Sequence, residues 1–358
     1  MDDIIIIGGG IAGISVAARL AKSLKVTLLE QEANLGYHAS GRSAAVFIKD
    51  YGNKTVKALN HASSEYLTSA YGGVLSPRGL LLLGAKGDSN SFIRDSNDLN
   101  LDQISIDEAR LKFPLLISDT AKYAAYRTDV HDLDTDHLQQ IFLKEAREHN
   151  TKIEIKAKVL KIVFKSGHFK IITENKEYSA KTIVNAAGAW VDEIANLAGI
   201  SPLKFTPYRR SIARVPVPTG QDASAWPILL GVNEKWYAKP DAGQLIVSPA
   251  EEEPVPAQAA WAEDLTLAEG IDRFQQFVVH PITRITSNWA GLRTFAPDRS
   301  LVIGPAKENH NFFWFGGQGG YGFQTAAATS ELAKELILNQ PTSLPKNIVR
   351  ALSPNRFI

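Results

Sequence analysis

The sequence predicts two packed domains, an α/β Rossmann-like domain and an α+β domain built on a mainly antiparallel sheet. The chain opens with a dinucleotide-binding βαβ pattern and closes with a second glycine-rich turn between a strand and a helix. Between these ends it is rich in short strands and prolines. Its 358 residues exceed the usual length of one domain, so two domains with a large shared core are expected.

The first elements are a strand, a glycine-rich turn and a helix. Four isoleucines, residues 4–7, precede the sequence Gly8-Gly9-Gly10-Ile11-Ala12-Gly13. In this pattern Gly8 permits the tight turn, Gly10 leaves room for a pyrophosphate, and Gly13 lets the helix lie close to the strand. The helix presents free N–H groups and a partial positive charge to the phosphates.

The second strand of this unit closes at an acidic residue, Glu30. Its carboxylate can accept hydrogen bonds from both ribose hydroxyls of an adenosine, and it would repel the 2′-phosphate of NADP. The pattern alone leaves open whether the dinucleotide is FAD or NAD.

Further elements follow in order. A stretch of small residues, 36–45, indicates a second close approach of backbone to a ligand. A helix is predicted over residues 54–71 and an apolar strand over residues 80–83. A short amphipathic helix is predicted over residues 106–113, where Pro114 stops it.

The middle of the chain predicts a capped helix and a β-meander. Asp134 is expected to cap a helix that runs to about residue 149. Three strand-length pieces follow, residues 152–165, 169–174 and 177–184, with turn residues between them. The last piece runs into small residues, where the backbone can again touch a ligand.

The second half supplies the other sheet and then returns to the first domain. Residues 202–289 are strand-rich and proline-rich, which predicts a largely antiparallel sheet. Residues 312–315 predict a strand, and a glycine-rich turn leads into a helix through about residue 338. The dinucleotide-binding domain is therefore predicted over residues 1–45, 130–205 and 295–358, and the substrate-binding domain over residues 46–129 and 206–294.

Composition excludes several classes of function. The net charge is +1, from 39 basic and 38 acidic residues, so no global field attracts nucleic acid or an anionic membrane. The absence of cysteine excludes disulfides, thiolate metal sites and a cysteine nucleophile. The histidines show no metal-ligand spacing, and no metal site is expected. Without a signal peptide pattern or a membrane-spanning run, we expect a cytoplasmic protein that is a monomer or a homodimer.

Four segments resemble one family, in chain order. They are GGGIAG with Glu30, GYHASGRSAA (36–45), VNAAGAW (184–190), and WAGLR (289–293) followed by GGQGGYG (316–322). Together they resemble the FAD-dependent D-amino acid oxidases and dehydrogenases, which include relatives of glycine oxidase and sarcosine oxidase. Within that family the chain looks most like the bacterial D-arginine dehydrogenase branch. The resemblance implies FAD rather than NAD. His38 could bond the flavin covalently, but we expect non-covalent FAD.

The resemblance also implies the residues that hold FAD. Those expected at the ADP half and the pyrophosphate are Gly8, Gly10, Ile11, Ala12, Gly13, Glu30, Gln31, Arg42, Ser43, Ala44, Ala45 and Val159. Those expected beside the dinucleotide and the flavin ring are Ala187, Gly188, Trp190, Gly319, Gly320, Tyr321, Gly322, Phe323 and Gln324.

The substrate residues carry over in the same way. Arg210 and Arg293 resemble the family's clamp on the substrate α-carboxylate, for which the forked guanidinium is suited. Tyr51 and Tyr237 match hydroxyl contacts near that carboxylate, and the Gly320 carbonyl matches the acceptor for the amine. Without the resemblance, these arginines could be structural and the tyrosines ordinary core aromatics.

Four positions depart from the arginine-specific branch. They are Leu80, where that branch has a carboxylate, Val46 and Ile48, where it has a histidine and a threonine, and Ile228, which follows Trp226-Pro227. An apolar pocket makes D-arginine an unfavourable substrate, because a guanidinium would be buried without a counter-charge. An apolar D-amino acid fits this pocket better, and so does a cyclic or N-alkyl amino acid.

Three functional alternatives stay open at this point. The leading one is oxidative deamination of an amino acid by hydride transfer from Cα to the flavin, with a quinone or O2 as electron acceptor. The sarcosine-oxidase-like relatives that this chain resembles use a lysine near the flavin. Residues 243–248 contain none, and the resemblance therefore favours a dehydrogenase over an oxidase. The others are oxidation of a secondary amine or a 2-hydroxy acid, and a non-catalytic flavin-binding electron-transfer module.

Overall fold

The computed structural model describes residues 1–357, which form nine α-helices and twenty β-strands. The helices are α1 (Ile11–Leu20), α2 (Lys54–Ser69), α3 (Ser89–Asp98), α4 (Ile106–Lys112), α5 (Thr135–Glu148), α6 (Val191–Leu197), α7 (Asp264–Gln275), α8 (Gly322–Ile337) and α9 (Lys346–Leu352). The predicted helices at residues 54–71, 106–113 and 134–149 are thus confirmed as α2, α4 and α5. Asp134 caps α5 by accepting a hydrogen bond from the His137 N–H at 2.8 Å.

The strands divide into three sheets. In chain order they are β1 (Asp2–Ile7), β2 (Val26–Leu29), β3 (Val46–Phe47), β4 (Leu75–Pro77), β5 (Leu80–Gly84), β6 (Asp102–Ile104), β7 (Tyr123–Arg127), β8 (His131–Leu133), β9 (Lys152–Glu154), β10 (Val159–Lys165), β11 (His168–Thr173), β12 (Glu177–Asn185), β13 (Thr206–Pro216), β14 (Ile228–Gly231), β15 (Tyr237–Asp241), β16 (Gln244–Ser248), β17 (Glu253–Pro254), β18 (Ser287–Phe295), β19 (Val302–Pro305) and β20 (Phe312–Gly316).

The first sheet is the predicted Rossmann-like sheet, with the order β10-β11-β12-β1-β2-β9 and with β20 beside β12 and β19 beside β20. Strands β9, β2, β1, β12 and β20 run parallel. Because β1 ends in a run of isoleucines, it presents apolar side chains to both faces of this sheet. Ile4 and Ile6 pack into one core cluster and Ile5 and Ile7 into another, because successive side chains in a strand point to opposite faces.

The second sheet has the order β17-β13-β16-β15-β14-β5-β7-β6, with β18 beside β13. It is antiparallel except where β5 and β14 run parallel, so a mainly antiparallel sheet is confirmed. The small third sheet, β3-β8-β4, was not predicted. The strand membership of the two large sheets follows the predicted division of the chain, while the domain boundaries themselves stay a prediction.

One local prediction is wrong, and one region contains an element that was not predicted. Residues 152–165 are not one strand of a meander, because the chain breaks at Lys156, whose φ is +52°. The first piece, β9, instead extends the parallel sheet beside β2, and only β10, β11 and β12 form the meander. The strand-rich region after residue 202 also contains a helix, α7.

No helix within residues 1–357 is long and apolar enough to cross a membrane.

Candidate active site

One large cleft is lined by residues from all three sheets, and most predicted site residues face it. The carboxyl ends of the parallel strands β1, β2 and β12 open onto it, which is where α/β folds of this type bind ligands. From there the cleft runs past residues 36–51 to the second sheet at β14 and β15.

In the turn between β1 and α1, Gly8 is needed for its backbone conformation and Gly13 for close packing. Gly8 has a φ of +113°, and a Cβ on it would lie 2.3 Å from the Ala186 carbonyl oxygen. A Cβ on Gly13 would lie 1.9 Å from the Gly8 carbonyl oxygen, so Gly13 packs α1 against the turn. Gly13 does not line the cleft, and its assignment to the cofactor site stays a prediction.

Gly10 differs from Gly8 and Gly13 because neither its backbone conformation nor the packing around it requires a glycine. Its φ is −80°, and the nearest atom to an added Cβ would be Ser40 Oγ at 3.1 Å. Its missing side chain therefore leaves space in the cleft. Helix α1 begins here, Gly10 itself has no side chain to cap it, and its first turn contains no acidic residue. Its partial positive charge fits a pyrophosphate, and Ile11 and Ala12 line the same wall.

Glu30 lies at the end of β2 and is 7% exposed. Its Oε2 accepts a hydrogen bond from the Gly9 N–H at 2.7 Å, and its Oε1 accepts one from the Glu32 N–H at 2.8 Å. A carboxylate oxygen can accept more than one hydrogen bond, so both can still receive a ribose hydroxyl. Gln31 and Val159 line the cleft nearby.

The segment with Arg42, Ser43, Ala44 and Ala45 lines the cleft, but the Arg42 side chain has a use that the sequence did not predict. Its Nη1 donates to the Ala260 carbonyl at 2.6 Å and to the Ala290 carbonyl at 3.0 Å. Arg42 therefore ties this segment to the second sheet, and its position against a pyrophosphate stays a prediction.

The remaining glycine-rich and small-residue segments form further parts of the wall. Those that line the cleft are Ala187, Gly188, Trp190, Gly319, Gly320, Gly322, Phe323 and Gln324. Tyr321 does not line it, and its assignment to the flavin site stays a prediction. Its ring packs edge-on against Tyr51, with centroids 5.5 Å apart, so it supports that residue.

Arg210 and Arg293 lie on neighbouring antiparallel strands of the second sheet. Tyr208 of β13 pairs with Arg293 of β18, and Arg210 pairs with Gly291. The two arginines are therefore diagonal neighbours on one face. Since Gly291 has no side chain, the space beside Arg210 is left to the guanidinium groups. Both arginines line the cleft.

Arg209 faces the other way, as strand alternation predicts. It forms ion pairs with Glu253 and with Glu263, the latter at 2.7 Å. It does not line the cleft.

The two cleft arginines are short of counter-charge. Arg210 is 6% exposed, its Nε has no hydrogen-bond partner, and its one ion-pair partner is Glu252 at 3.4 Å, which Arg299 shares. No acidic side chain of residues 1–357 lies within ion-pair distance of Arg293. Burial lowers the pKa of Arg210, and the charge of Arg293 lowers it further.

Tyr51 and Tyr237 stand beside this pair. Burial lowers the pKa of Arg293, but Tyr51, Tyr237 and Glu234 raise it more, so the guanidinium stays charged. The Tyr51 hydroxyl donates to Glu234 Oε2 at 3.1 Å. Buried Asn60 positions the Tyr51 loop, since its Nδ2 lies 3.0–3.3 Å from three backbone carbonyl oxygens, those of Ile48, Lys49 and Tyr51.

The far end of the cleft is mostly aliphatic. Val46, Ile48, Leu80 and Ile228 line it as predicted, and Leu99 and Leu230 add to it. Glu234 also lines it and corrects the picture of a wholly apolar pocket. Glu234 can therefore serve as a counter-charge for a basic substrate group, and the lack of a counter-charge no longer argues against D-arginine.

Sequence reasoning missed Glu234 and Ser40. Glu234 lies 183 positions from Tyr51 in the chain and has a φ of +50°, so no periodicity marks it. Ser40 Oγ accepts a hydrogen bond from the Ile11 N–H at 2.9 Å and so supplies the first turn of α1 with a distant cap. The small-residue stretch at 36–45 gave the only signal for it.

Comparisons with known proteins agree with this geometry. Residues 3–336 match the family model described as DAO, FAD dependent oxidoreductase. The chain is 23% identical to mitochondrial dimethylglycine dehydrogenase of Rattus norvegicus over 99% of its own length, but it spans only 44% of that protein. It is 24% identical to glycerol 3-phosphate dehydrogenase of Caloramator mitchellensis, over 97% of this chain and 76% of that protein.

Two solved structures share the fold. Glycine oxidase from Geobacillus kaustophilus superposes with a TM-score of 0.85 at 19% identity and covers 100% of this chain and 99% of its own. L-proline dehydrogenase from P. horikoshii has a TM-score of 0.84 at 24% identity, with 99% and 97% covered. The D-arginine dehydrogenase branch stays a prediction. The family match, together with a cleft that fits a dinucleotide, shows that this chain belongs to the DAO family of FAD-dependent oxidoreductases.

Proposed function

We propose that the protein oxidises an amino acid whose carboxylate is held between Arg210 and Arg293. The observation that carries this proposal is the pair of cleft-lining guanidinium groups with too little counter-charge. FAD, when bound, supplies the two-electron chemistry by accepting a hydride from the substrate carbon. The protein's own task is then to bind and orient the substrate, which is how positioning lowers a barrier.

A carboxylate satisfies the arginine pair better than a neutral group would. Two guanidinium forks can donate parallel hydrogen bonds to two carboxylate oxygens, and such charge-assisted bonds are the strong ones. The anion would also relieve the repulsion that lowers the pKa of Arg210. The Tyr237 hydroxyl is available at the same end of the cleft.

The amine is proposed to lie next to Gly320. A Cβ on Gly320 would be 2.9 Å from Arg293 Cζ, so this peptide lies directly against the guanidinium that would hold the carboxylate. An amino acid bound there has its amine within reach of the Gly320 carbonyl.

FAD is proposed to lie along the cleft, with its ADP half at Gly10, the start of α1 and Glu30. The missing side chain at Gly10 and the N-terminus of α1 fit a pyrophosphate, and Glu30 retains acceptor capacity for the ribose. The segments 42–45, 187–190 and 319–324 would form the rest of the FAD-binding site. Non-covalent binding remains our expectation.

The substrate side chain is proposed to be apolar, because six aliphatic residues line the far end of the cleft. The preferred stereochemistry, D, rests on the family resemblance. Electrons would then pass to a quinone or to O2, with a dehydrogenase favoured.

Oxidation of a secondary amine is the second candidate. Glu234 gives the cleft one carboxylate that could pair with a cationic amine, and proteins named dimethylglycine dehydrogenase and L-proline dehydrogenase are similar to this chain. A 2-hydroxy acid could use the same carboxylate clamp. A non-catalytic flavin module would have no use for the clamp.

An anaerobic reduction assay tests these proposals. The purified protein with FAD is mixed with D-amino acids, L-amino acids, N-methyl amino acids, proline and 2-hydroxy acids, and the visible absorbance of oxidised flavin is followed. Bleaching by apolar D-amino acids would support the first proposal, and bleaching by N-methyl amino acids or proline alone would support the second. If dithionite bleaches the flavin and no amine does, both proposals fail.

A further inference from the structure

Behind the cleft wall at Ala45, three charged side chains form a cluster, the charged triad of partly exposed Arg78 and Asp132 with buried Lys239. Lys239 is 7% exposed, its Nζ lies 2.7 Å from Asp132 Oδ1, and it donates to the Ala45 carbonyl oxygen at 3.4 Å. Arg78 donates from Nε to Asp132 Oδ2 at 2.7 Å, and its Nη2 lies 2.5 Å from the same oxygen.

The triad joins the flavin side of the cleft to the substrate side. Lys239 follows Tyr237 by two residues in β15, so the two side chains leave the strand on the same face. Asp132 of β8 pairs with Val46 of β3, the residue that follows Ala45. One lysine therefore connects the strand that carries Tyr237 with the segment that carries Ala45.

Arg78 connects the triad to the chain just before the substrate pocket. Its Nη1 donates to the Trp226 carbonyl at 2.9 Å, two residues before Ile228 of the substrate pocket. The loss of Lys239 would still leave Asp132 paired with Arg78.

The triad carries an excess of positive charge. Two cations share one carboxylate, which leaves a net positive charge in a partly buried place. Burying charges costs free energy, and apolar residues of similar volume often stabilise a fold as well or better. The excess charge lies directly behind Ala45, a residue that lines the cleft.

We propose that Lys239 is a positioning residue for the cofactor: it fixes the Ala45 backbone against FAD, and the net positive charge of the triad favours the reduced cofactor. The proposal rests on the proposed seat of FAD along residues 42–45. Reduction adds negative charge to the flavin, and a fixed cation nearby stabilises that charge without reorganisation.

The test compares Lys239→Met, Lys239→Arg and a surface control, Lys181→Met. Lys181 is 61% exposed in its side chain and pairs with Asp3 at 3.0 Å, far from the cleft wall. For each variant we would measure the FAD dissociation constant of the apoprotein, the visible absorption bands of the bound flavin and its two-electron reduction potential.

For Lys239→Met we expect FAD affinity to fall by about tenfold, because the charge-assisted hydrogen bond that holds the Ala45 backbone against FAD is lost. The absorption bands should shift and the reduction potential should become more negative. Lys239→Arg should restore most of each property, and Lys181→Met should match the unaltered protein. If Lys239→Met does not fold, Lys239→Gln, which keeps a donor without the charge, carries the comparison of potentials.

The proposal is overturned if Lys239→Met, or Lys239→Gln in its place, has the same potential and absorption bands as Lys181→Met. These measurements need no substrate. An unaltered protein that binds FAD but is not reduced by any amino acid would refute the proposed function and leave the role of Lys239 open to the same test.

Discussion

Gly10 and Gly13 lie three residues apart in one turn, yet a methyl group at each would meet different surroundings. At Gly10 the added group meets only Ser40 Oγ at 3.1 Å, and the backbone is in an ordinary conformation. We therefore expect Gly10→Ala to fold normally and to weaken FAD binding by on the order of 100-fold, or about 2.8 kcal/mol. Titration of the apoprotein with FAD measures this.

Gly13→Ala is the matched comparison. Its Cβ would lie 1.9 Å from a backbone oxygen, so we expect a large loss of thermal stability even without FAD. Equal FAD affinity in Gly10→Ala and the unaltered protein would show that the pyrophosphate lies elsewhere.

Arg293 and Arg209 offer a second contrast at the scale of single residues. Arg293→Met should raise KM strongly and lower kcat/KM by about 10- to 100-fold, because a charge-assisted hydrogen bond to the substrate carboxylate is lost. Arg209→Met should lower the melting temperature and leave KM unchanged, because Arg209 bonds Glu253 and Glu263 outside the cleft. Steady-state kinetics and thermal melts of both variants test this prediction. If the two variants gave the same kinetics, the clamp would be wrong.

Tyr51 gives a prediction about pH. Burial raises the pKa of its hydroxyl, the Glu234 charge raises it further, and Arg293 and Arg210 lower it by less. A raised pKa keeps the hydroxyl protonated and able to donate to Glu234 beyond its usual value of about 10. We expect Tyr51→Phe to lower kcat/KM while the alkaline limb of the profile, up to about pH 10, stays in place. An alkaline limb that disappears in Tyr51→Phe would assign that titration to Tyr51.

At the scale of elements, the sequence predicts best where periodicity is local. The isoleucine strand, α2, α4 and α5 follow from apolar spacing and capping residues within each segment. The break at Lys156 could not be predicted, because the separation of β9 from β10 depends on pairing with β2, far away in the chain. Helix α7 was predictable in principle, since Leu267 and Phe274 carry helical spacing, but the surrounding prolines favoured strands.

The residues of the candidate site also differ in how well the sequence predicts them. The glycine turns and the arginine clamp have recognisable neighbours in the sequence, whereas Glu234 and Lys239 act through partners more than 100 positions away. Such contacts depend on how sheets pack, which no window of sequence contains.

Helix α2 carries a testable role in the site through Asn60. Its amide reaches three carbonyls of the loop with Tyr51, so Asn60→Ala should raise KM several-fold and cost about 1–3 kcal/mol of stability, because these carbonyls lose the Asn60 donor. Asn53→Ala, at the cap of the same helix, removes the acceptor for the Val56 N–H. It should cost about 1 kcal/mol and leave KM unchanged. A rise in KM in both variants would point to the helix as a whole instead of the loop contact.

At the scale of the whole molecule, the cleft is bounded by all three sheets, and Arg42 ties the dinucleotide side to β18. A ligand that fills such a cleft stabilises the folded state by mass action, by about 2.7 kcal/mol at a hundredfold excess over its dissociation constant. Removal of FAD should therefore lower the melting temperature by several degrees. Hydrogen exchange should locate the loosening in residues 36–51 and 318–324, while α9, which does not line the cleft, keeps its protection. Equal loss of protection in α9 would mean that FAD stabilises the chain globally, and no change at residues 36–51 would place FAD outside this cleft.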